Sequence, residues 1–242
     1  TLLENQHDRT ILVERRVLSE NSARVIAGAG VDLNRFLYIR ESEKPPLKIL
    51  FAARLIASKG LESLVEAVGA LSAKGLDLQL HVAGILDGDS RDAIDGRQID
   101  AWRALDYVVW HGEVKDVERL ISACHIVCLP TRYGEGIPRI LIEAAACGRP
   151  VVSTRVPGCS EFVRHGTDGL LADPGNIQQL EKALQLLAER PDLRQSYGAA
   201  GREKVSNLYS NEIVVSKTLG IYNELLESQP VDRTPLMPIT MM

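Results

Sequence analysis

Two stretches of this sequence place charged residues where a chain could use them. In AARLIASKGLESL, Arg54 leaves the end of an apolar run, and Lys59 stands at the start of a helical pattern whose cap is read as Ser58. Cations beside the unpaired amides of a helix N-terminus suit a dianionic group such as a diphosphate. The plainer alternative is a pair of solvated surface cations. In LPTRYGEGIPRILIEAAACG, Glu135 lies between Gly134 and Gly136, with Pro138 opening the next helix. There the backbone can approach a ligand closely and turn amides toward negative charge, while the carboxylate accepts from a hydroxyl-rich substrate. Glu143, eight residues on, falls inside the apolar run ILIEAAA. A carboxylate there is costly without a partner. Sugar or ribose hydroxyls would serve, and so would Arg139 four residues earlier. The two carboxylates do not read as a glycosidase pair, because nothing sets them on opposite faces of a sugar.

Weaker signals come from glycines that follow apolar runs. Gly112, in VVWHGEVKD, would let a flat group pack on bare backbone, and Gly84, after LHVA, marks a turn that a ligand could also approach. His111 reads as structural rather than catalytic. The histidines and cysteines form no metal-ligand spacing, and no Walker loop or Ser/His/Asp arrangement is present. Cys124, Cys128, Cys147 and Cys159 lack CxxC spacing and sit among apolar or small residues, which fits reduced thiols packed inside.

The whole chain must be able to hold such groups in place. Its 242 residues are 45% hydrophobic and 25% charged, enough for one sizeable core and too apolar for disorder. A net charge of −4 and 5% aromatic content argue against a nucleic-acid partner. With no apolar run of about 18–20 residues and no signal peptide pattern, neither a transmembrane segment nor export is expected, and the chain reads as cytoplasmic.

Short apolar runs at 48–53, 78–83, 107–110, 125–129 and 150–154 read as strands buried on both faces. Helical patterns lie between them at 60–74, 116–123 and 138–147. Regular alternation predicts an α/β, doubly wound, Rossmann-like parallel sheet whose ligands gather at the carboxyl ends of the strands. A short helix near 158–164, a further strand and helices at 176–189, 192–207 and 212–227 follow, and 228–242 reads as a flexible tail. Ahead of this unit, residues 9–19 look helical and 24–27 look like a strand. Residues 1–40 therefore read as the end of a preceding domain, 41–47 as a linker and 48–210 as the ligand-binding domain. The abrupt start at Thr1 reads as a chain cut from something longer.

Together these stretches resemble the donor-binding half of a GT-B glycosyltransferase, specifically glycosyltransferase family 4, over residues 5–209. ARLIASKG is similar to that family's Arg-x4-Lys element and EGIPRILIE to its Glu-x7-Glu element. AAACGRPVVSTRVPGCSEFVRHGTDGLLADPGN resembles the continuation, and NQHDRTILVERRV with GAGVDLNRF the end of the acceptor-side domain. The nearest likeness is to bacterial enzymes that build surface polysaccharide, lipopolysaccharide or lipid-linked glycans. The resemblance implies retaining transfer of a hexose or N-acetylhexosamine from a nucleotide diphosphate sugar, with a UDP-sugar favoured and no metal or other cofactor. Arg54 and Lys59 would neutralise the diphosphate, and Glu135 with the Gly136 and Ile137 amides would hold the donor sugar. Glu143 would hold the ribose, and Gly84 and the backbone of Gly112, Glu113 and Val114 would border the base. The glycan or lipid-linked acceptor would bind an N-terminal domain outside this sequence, against which the 212–227 helix would pack. The alternatives are a non-catalytic nucleotide-sugar-binding subunit and a nucleotide-sugar epimerase on the same architecture.

Overall fold

The computed structural model describes residues 1–26 and 28–228. At the start, β1 (Leu2–Leu3), α1 (Gln6–Glu14) and β2 (Arg24–Val25) form a small unit in which β1 and β2 pair in parallel. The main unit then runs β3 (Leu47–Ala52), α2 (Leu61–Ala73), β4 (Leu78–Ala83), α3 (Gly96–Arg103), β5 (Val108–Gly112), α4 (Val117–Ala123), β6 (Ile126–Leu129) and α5 (Arg139–Ala146). It continues with β7 (Val151–Thr154), α6 (Cys159–Phe162), β8 (Gly169–Ala172), α7 (Ile177–Glu189), α8 (Pro191–Leu208) and α9 (Asn211–Ser228). The tail expected at 228–242 lies, from residue 229 on, outside the described residues.

The six strands β3 to β8 form one parallel sheet in the order β5-β4-β3-β6-β7-β8. Such strands form from unbroken apolar runs because helices cover both faces, and all of β6, β7 and β8 is buried. Strand order reverses between β3 and β6. These two strands pair only at Ile49↔Ile126 and Leu50↔Val127. Beyond that point β3 pairs only with β4, and β6 only with β7. The chain therefore opens a crevice at the carboxyl ends of β3 and β6, where the order switches.

The loops after these strands are stitched together. Arg132 N donates to Ser58 O at 2.7 Å, and Thr131 Oγ1 to the same oxygen at 3.3 Å. Gly60 lies in the left-handed region (φ 80°), and a Cβ there would strike the Pro130 carbonyl. The expected Ser58 cap is corrected by this geometry. Residues Ala57–Lys59 form a 3-10 turn, Gly60 is the N-cap of α2, and the Ser58 amide donates instead to Asp92 Oδ2 at 2.9 Å. Sequence reading also lacks α3, whose Asp95 side chain accepts from Arg97 N, and the two-residue strand β1.

Residues 31–41 are fastened to the main unit by three arginines. Arg202 Nη1 donates to Phe36 O (2.6 Å), Arg149 Nη2 to Ile39 O (2.6 Å), and Arg194 Nη2 to the Glu41 carboxylate (2.9 Å). All four cysteines are free and buried, as their surroundings predict.

Gly60→Ala should cost on the order of 2–4 kcal/mol, from a disfavoured φ combined with a backbone clash. Urea unfolding would show a lower midpoint, and a loss under about 0.5 kcal/mol would contradict the stitched-loop geometry.

Candidate functional site

The 3-10 turn delivers Lys59 into the crevice between β3 and β6, and the Gly134–Gly136 loop delivers Glu135 from the other side. Lys59 Nζ and Glu135 Oε2 form an ion pair, with the side chains only 9% and 13% exposed. The Lys59 ammonium also lies 5.1 Å from the centre of the Tyr133 ring, a cation–π contact. Glu135 Oε1 is buried and has no hydrogen-bond partner among the described residues. Desolvating two charges costs several kcal/mol per ion, so a pair with an unsatisfied oxygen is a poor stabiliser. It is a good receptor for a ligand that brings a hydroxyl donor and an anion together.

The backbone beneath Glu135 is gripped on both sides. Its amide donates to Pro157 O at 3.3 Å. Gly158 (φ 79°) packs so closely that a Cβ would strike the carbonyls of Glu135 and Gly136. Only glycine meets both demands. Ile137 is buried, and Pro138 caps α5.

Arg54 takes a different position. It is 61% exposed and pairs with Asp87 at 3.1 Å. Together with Ala52, Ala53, Ala83, Gly84, Ile85, Glu113, Val114 and Val117 it lines a cavity of about 250 Å³ at the ends of β3, β4 and β5. The floor is bare backbone because Gly84 has no room for a Cβ, which would collide with Ala53 O. Gly112 (φ 66°) turns the chain into the Glu113–Val114 wall. The structure thus gathers Arg54, Gly84, Glu113 and Val114 around one cavity, and Lys59 and Glu135 at the neighbouring crevice.

Glu143, on α5, is only 12% exposed and meets Arg139 Nη2 at 3.4 Å. Burial pushes its carboxyl above the ordinary range, against the opposing charges of Arg139 and Arg35. Glu118, next to the cavity-lining Val117, raises it further. A long hydrogen bond to an exposed arginine leaves this carboxylate with acceptor capacity.

His111 Nε2 lies 2.9 Å from His81 Nδ1, and the rings stack at 5.1 Å. His81 is pushed down to about 4, first by burial and then by His111. This pair sits on the sheet and fits the structural reading of His111. Among the described residues, no group of three or more His, Cys, Asp or Glu is placed to hold a metal. No described helix is long and apolar enough to cross a membrane.

Sequence reasoning missed Tyr133, Asp87 and Asp92. Tyr133 stands inside the highlighted LPTRYGEG stretch, where an aromatic beside a buried lysine could have been noticed. Nothing in the polar LDGDSRD segment signals that Asp87 and Asp92 reach back to Arg54 and Ser58.

Residues 35–204 match the family model described as Glycosyl transferases group 1. The α-D-kanosaminyltransferase of Streptomyces kanamyceticus is 29% identical over 73% of this chain and 45% of its own length. An N-acetylgalactosaminyltransferase of Campylobacter jejuni, acting on N,N'-diacetylbacillosaminyl-diphospho-undecaprenol, is 28% identical over 87% of this chain and 57% of its own. The chain therefore spans about half the length of these relatives. Among solved structures, sucrose-phosphate synthase from Thermosynechococcus elongatus superposes with a TM-score of 0.80 at 26% identity, over 94% of this chain and 58% of that one. Anabaena HepE in complex with UDP-glucose gives 0.77 at 20% identity, over 93% and 63%. With a family match across 35–204 and a sheet that superposes on GT-B glycosyltransferases, the chain belongs to the glycosyl transferases group 1 family.

Proposed function

We propose that this chain is the donor-binding part of a retaining glycosyltransferase. It would take a hexose or N-acetylhexosamine from a UDP-sugar and serve the assembly of a bacterial surface polysaccharide or lipid-linked glycan. The observation that carries this reading is the buried Lys59–Glu135 pair at the strand-order switch, with Glu135 Oε1 left without a partner. A sugar diphosphate brings both missing complements, an anion for Lys59 and hydroxyl donors for Glu135. The activities for which the relatives are named and the UDP-glucose bound by HepE support the same donor class.

In this reading the base enters the cavity walled by Gly84, Glu113 and Val114, which offers backbone groups and small apolar side chains. The ribose lies toward Glu143, whose carboxylate accepts its hydroxyls. The diphosphate then draws Lys59 from Glu135 and Arg54 from Asp87. When the bond from the sugar to the diphosphate breaks, its electron pair stays on the phosphoryl oxygen, and these two cations stabilise the charge in place of a divalent ion. The released Glu135 carboxylate, with the Gly136 and Ile137 amides nearby, orients the sugar. The acceptor is assigned to an acceptor-side domain that residues 1–40 would complete, and α9 to a contact with it. The half-length match to the relatives supports this assignment.

Calorimetric titration of UDP, GDP, ADP and UDP-sugars into this chain, with and without EDTA, tests the donor site. UDP should bind in EDTA, and Lys59→Ala should weaken it about 10- to 100-fold, the loss of a charge-assisted contact. No nucleotide binding by the folded chain, or an unchanged Lys59→Ala, would overturn the reading.

Glu143→Gln should show a trade between binding and stability. Because burial raises the folded carboxyl above its unfolded value, folding takes up a proton just above the unfolded pKa, and stability falls as pH rises through that window. The glutamine variant should therefore melt higher than the parent at pH 8, on the order of 1 kcal/mol or about 2–4 °C, with the gain vanishing near pH 4. Nucleotide affinity should drop in the same variant. A lower melting temperature at pH 8 would contradict this assignment.

A further inference from the structure

What aims the Glu135 carboxylate is only partly explained by Pro157 and Gly158. A third grip comes from a residue 130 positions earlier in the chain. Asn5 Nδ2 donates to the Glu135 carbonyl at 3.2 Å. Asn5 is fully buried, and every polar atom of its amide is used. Its Oδ1 accepts from Asp8 N at 2.7 Å and so caps α1, while Nδ2 also donates to Asp8 Oδ2 at 2.8 Å. Serine or aspartate would cap a helix equally well. A serine hydroxyl engaged at the cap is one atom on a shorter arm, whereas the carboxamide caps with its oxygen and reaches the Glu135 carbonyl with a separate nitrogen.

Asn5 is not what fastens α1 to the main unit. The Glu161 carboxylate, on α6, accepts from Gln6 N at 2.9 Å and from His7 N at 3.0 Å. The Glu4 side chain lies across the bare face of Gly136, a second contact of this segment with the same loop. The first turn of α1 is thus held at its amides by Glu161, and from there Asn5 reaches the one loop that carries Glu135.

We propose that Asn5 is a positioning residue for Glu135: its carboxamide fixes the Glu135 peptide, and through it the direction in which the carboxylate meets the donor sugar. The inference rests on the reading of Glu135 as the sugar-facing carboxylate. It makes Asn5 part of the donor site, so that loss of its amide changes how the sugar is held without touching the nucleotide pocket.

The test compares affinities for UDP and for UDP-glucose, UDP-galactose, UDP-N-acetylglucosamine and UDP-N-acetylgalactosamine by calorimetry on this chain. The quantity read is the ratio of the UDP Kd to the best UDP-sugar Kd, with a thermal melt beside each variant. Asn5→Ser keeps the cap and takes the donor out of reach of the Glu135 carbonyl, and Asn5→Thr does the same should the serine variant fold poorly. Both should bind UDP within about twofold of the parent and lose at least fivefold of the ratio; Glu135→Gln should lose the ratio as well, whatever its UDP affinity. Glu161→Gln, which loosens α1 alone, should lower the melting temperature and keep the ratio. A ratio preserved in the Asn5 variants but lost in Glu135→Gln reduces Asn5 to a helix cap and overturns the proposal. A ratio preserved in Glu135→Gln, or a parent that prefers none of the sugars over UDP, overturns the reading of Glu135 itself and the proposal with it.

Discussion

The short pairing between β3 and β6 is the constraint on which the rest depends. Two residue pairs join these strands, after which each continues beside a different neighbour. The loops that leave them must face each other across a gap that no backbone ladder fills. Into that gap the chain places a lysine from one side and a glutamate from the other. Either charge alone would cost several kcal/mol of desolvation, which the pairing offsets in part. The ion pair closes the gap without a ligand, and a ligand with the opposite complements can open it. Everything nearby, from Gly60 under Pro130 to Gly158 under Glu135, keeps the two loops at the separation where that exchange is possible.

Division of labour across the site follows from the same topology. The β3, β4 and β5 ends form a cavity whose alanine and glycine floor offers backbone groups, with Arg54 and Glu113 on its walls. The β6 side supplies the carboxylates, one in the loop and one a helix turn further along. The ligand proposed for this site is flat at one end, anionic in the middle and hydroxyl-rich at the other. Nucleotide diphosphate sugars have that order of chemistry.

Much of this was legible in the residues. Apolar runs without alternation located the sheet to within a residue or two, because strands buried on both faces need no polar side. Arg54, Lys59, Glu135 and Glu143 stood out since a charge at a strand end or inside an apolar helix needs a reason. Their partners were not legible. Lys59 finds Glu135, and Arg54 finds Asp87, through contacts spanning 76 and 33 residues that no local spacing records. Glu143 has the Arg139 partner that the four-residue spacing allowed, yet at a distance that leaves the contact weak. The Ser58 cap failed for a different reason. Packing against Pro130 forced a glycine into the left-handed conformation at the cap position, and the tertiary contact overrode the local preference. Helix α3 escaped because its buried face is only Ile99 and Trp102, too few positions to establish a period.

In the proposed donor complex Lys59 changes partner, from the Glu135 carboxylate to a diphosphate. Glu135→Gln tests this most directly, because it removes the competing charge and leaves the ammonium in place. Calorimetry at fixed pH and ionic strength should find UDP bound more tightly by this variant than by the parent, since the ion pair no longer has to be broken. UDP affinity that is unchanged or weaker would mean that Lys59 does not leave Glu135 for the nucleotide, and the exchange would have to be abandoned.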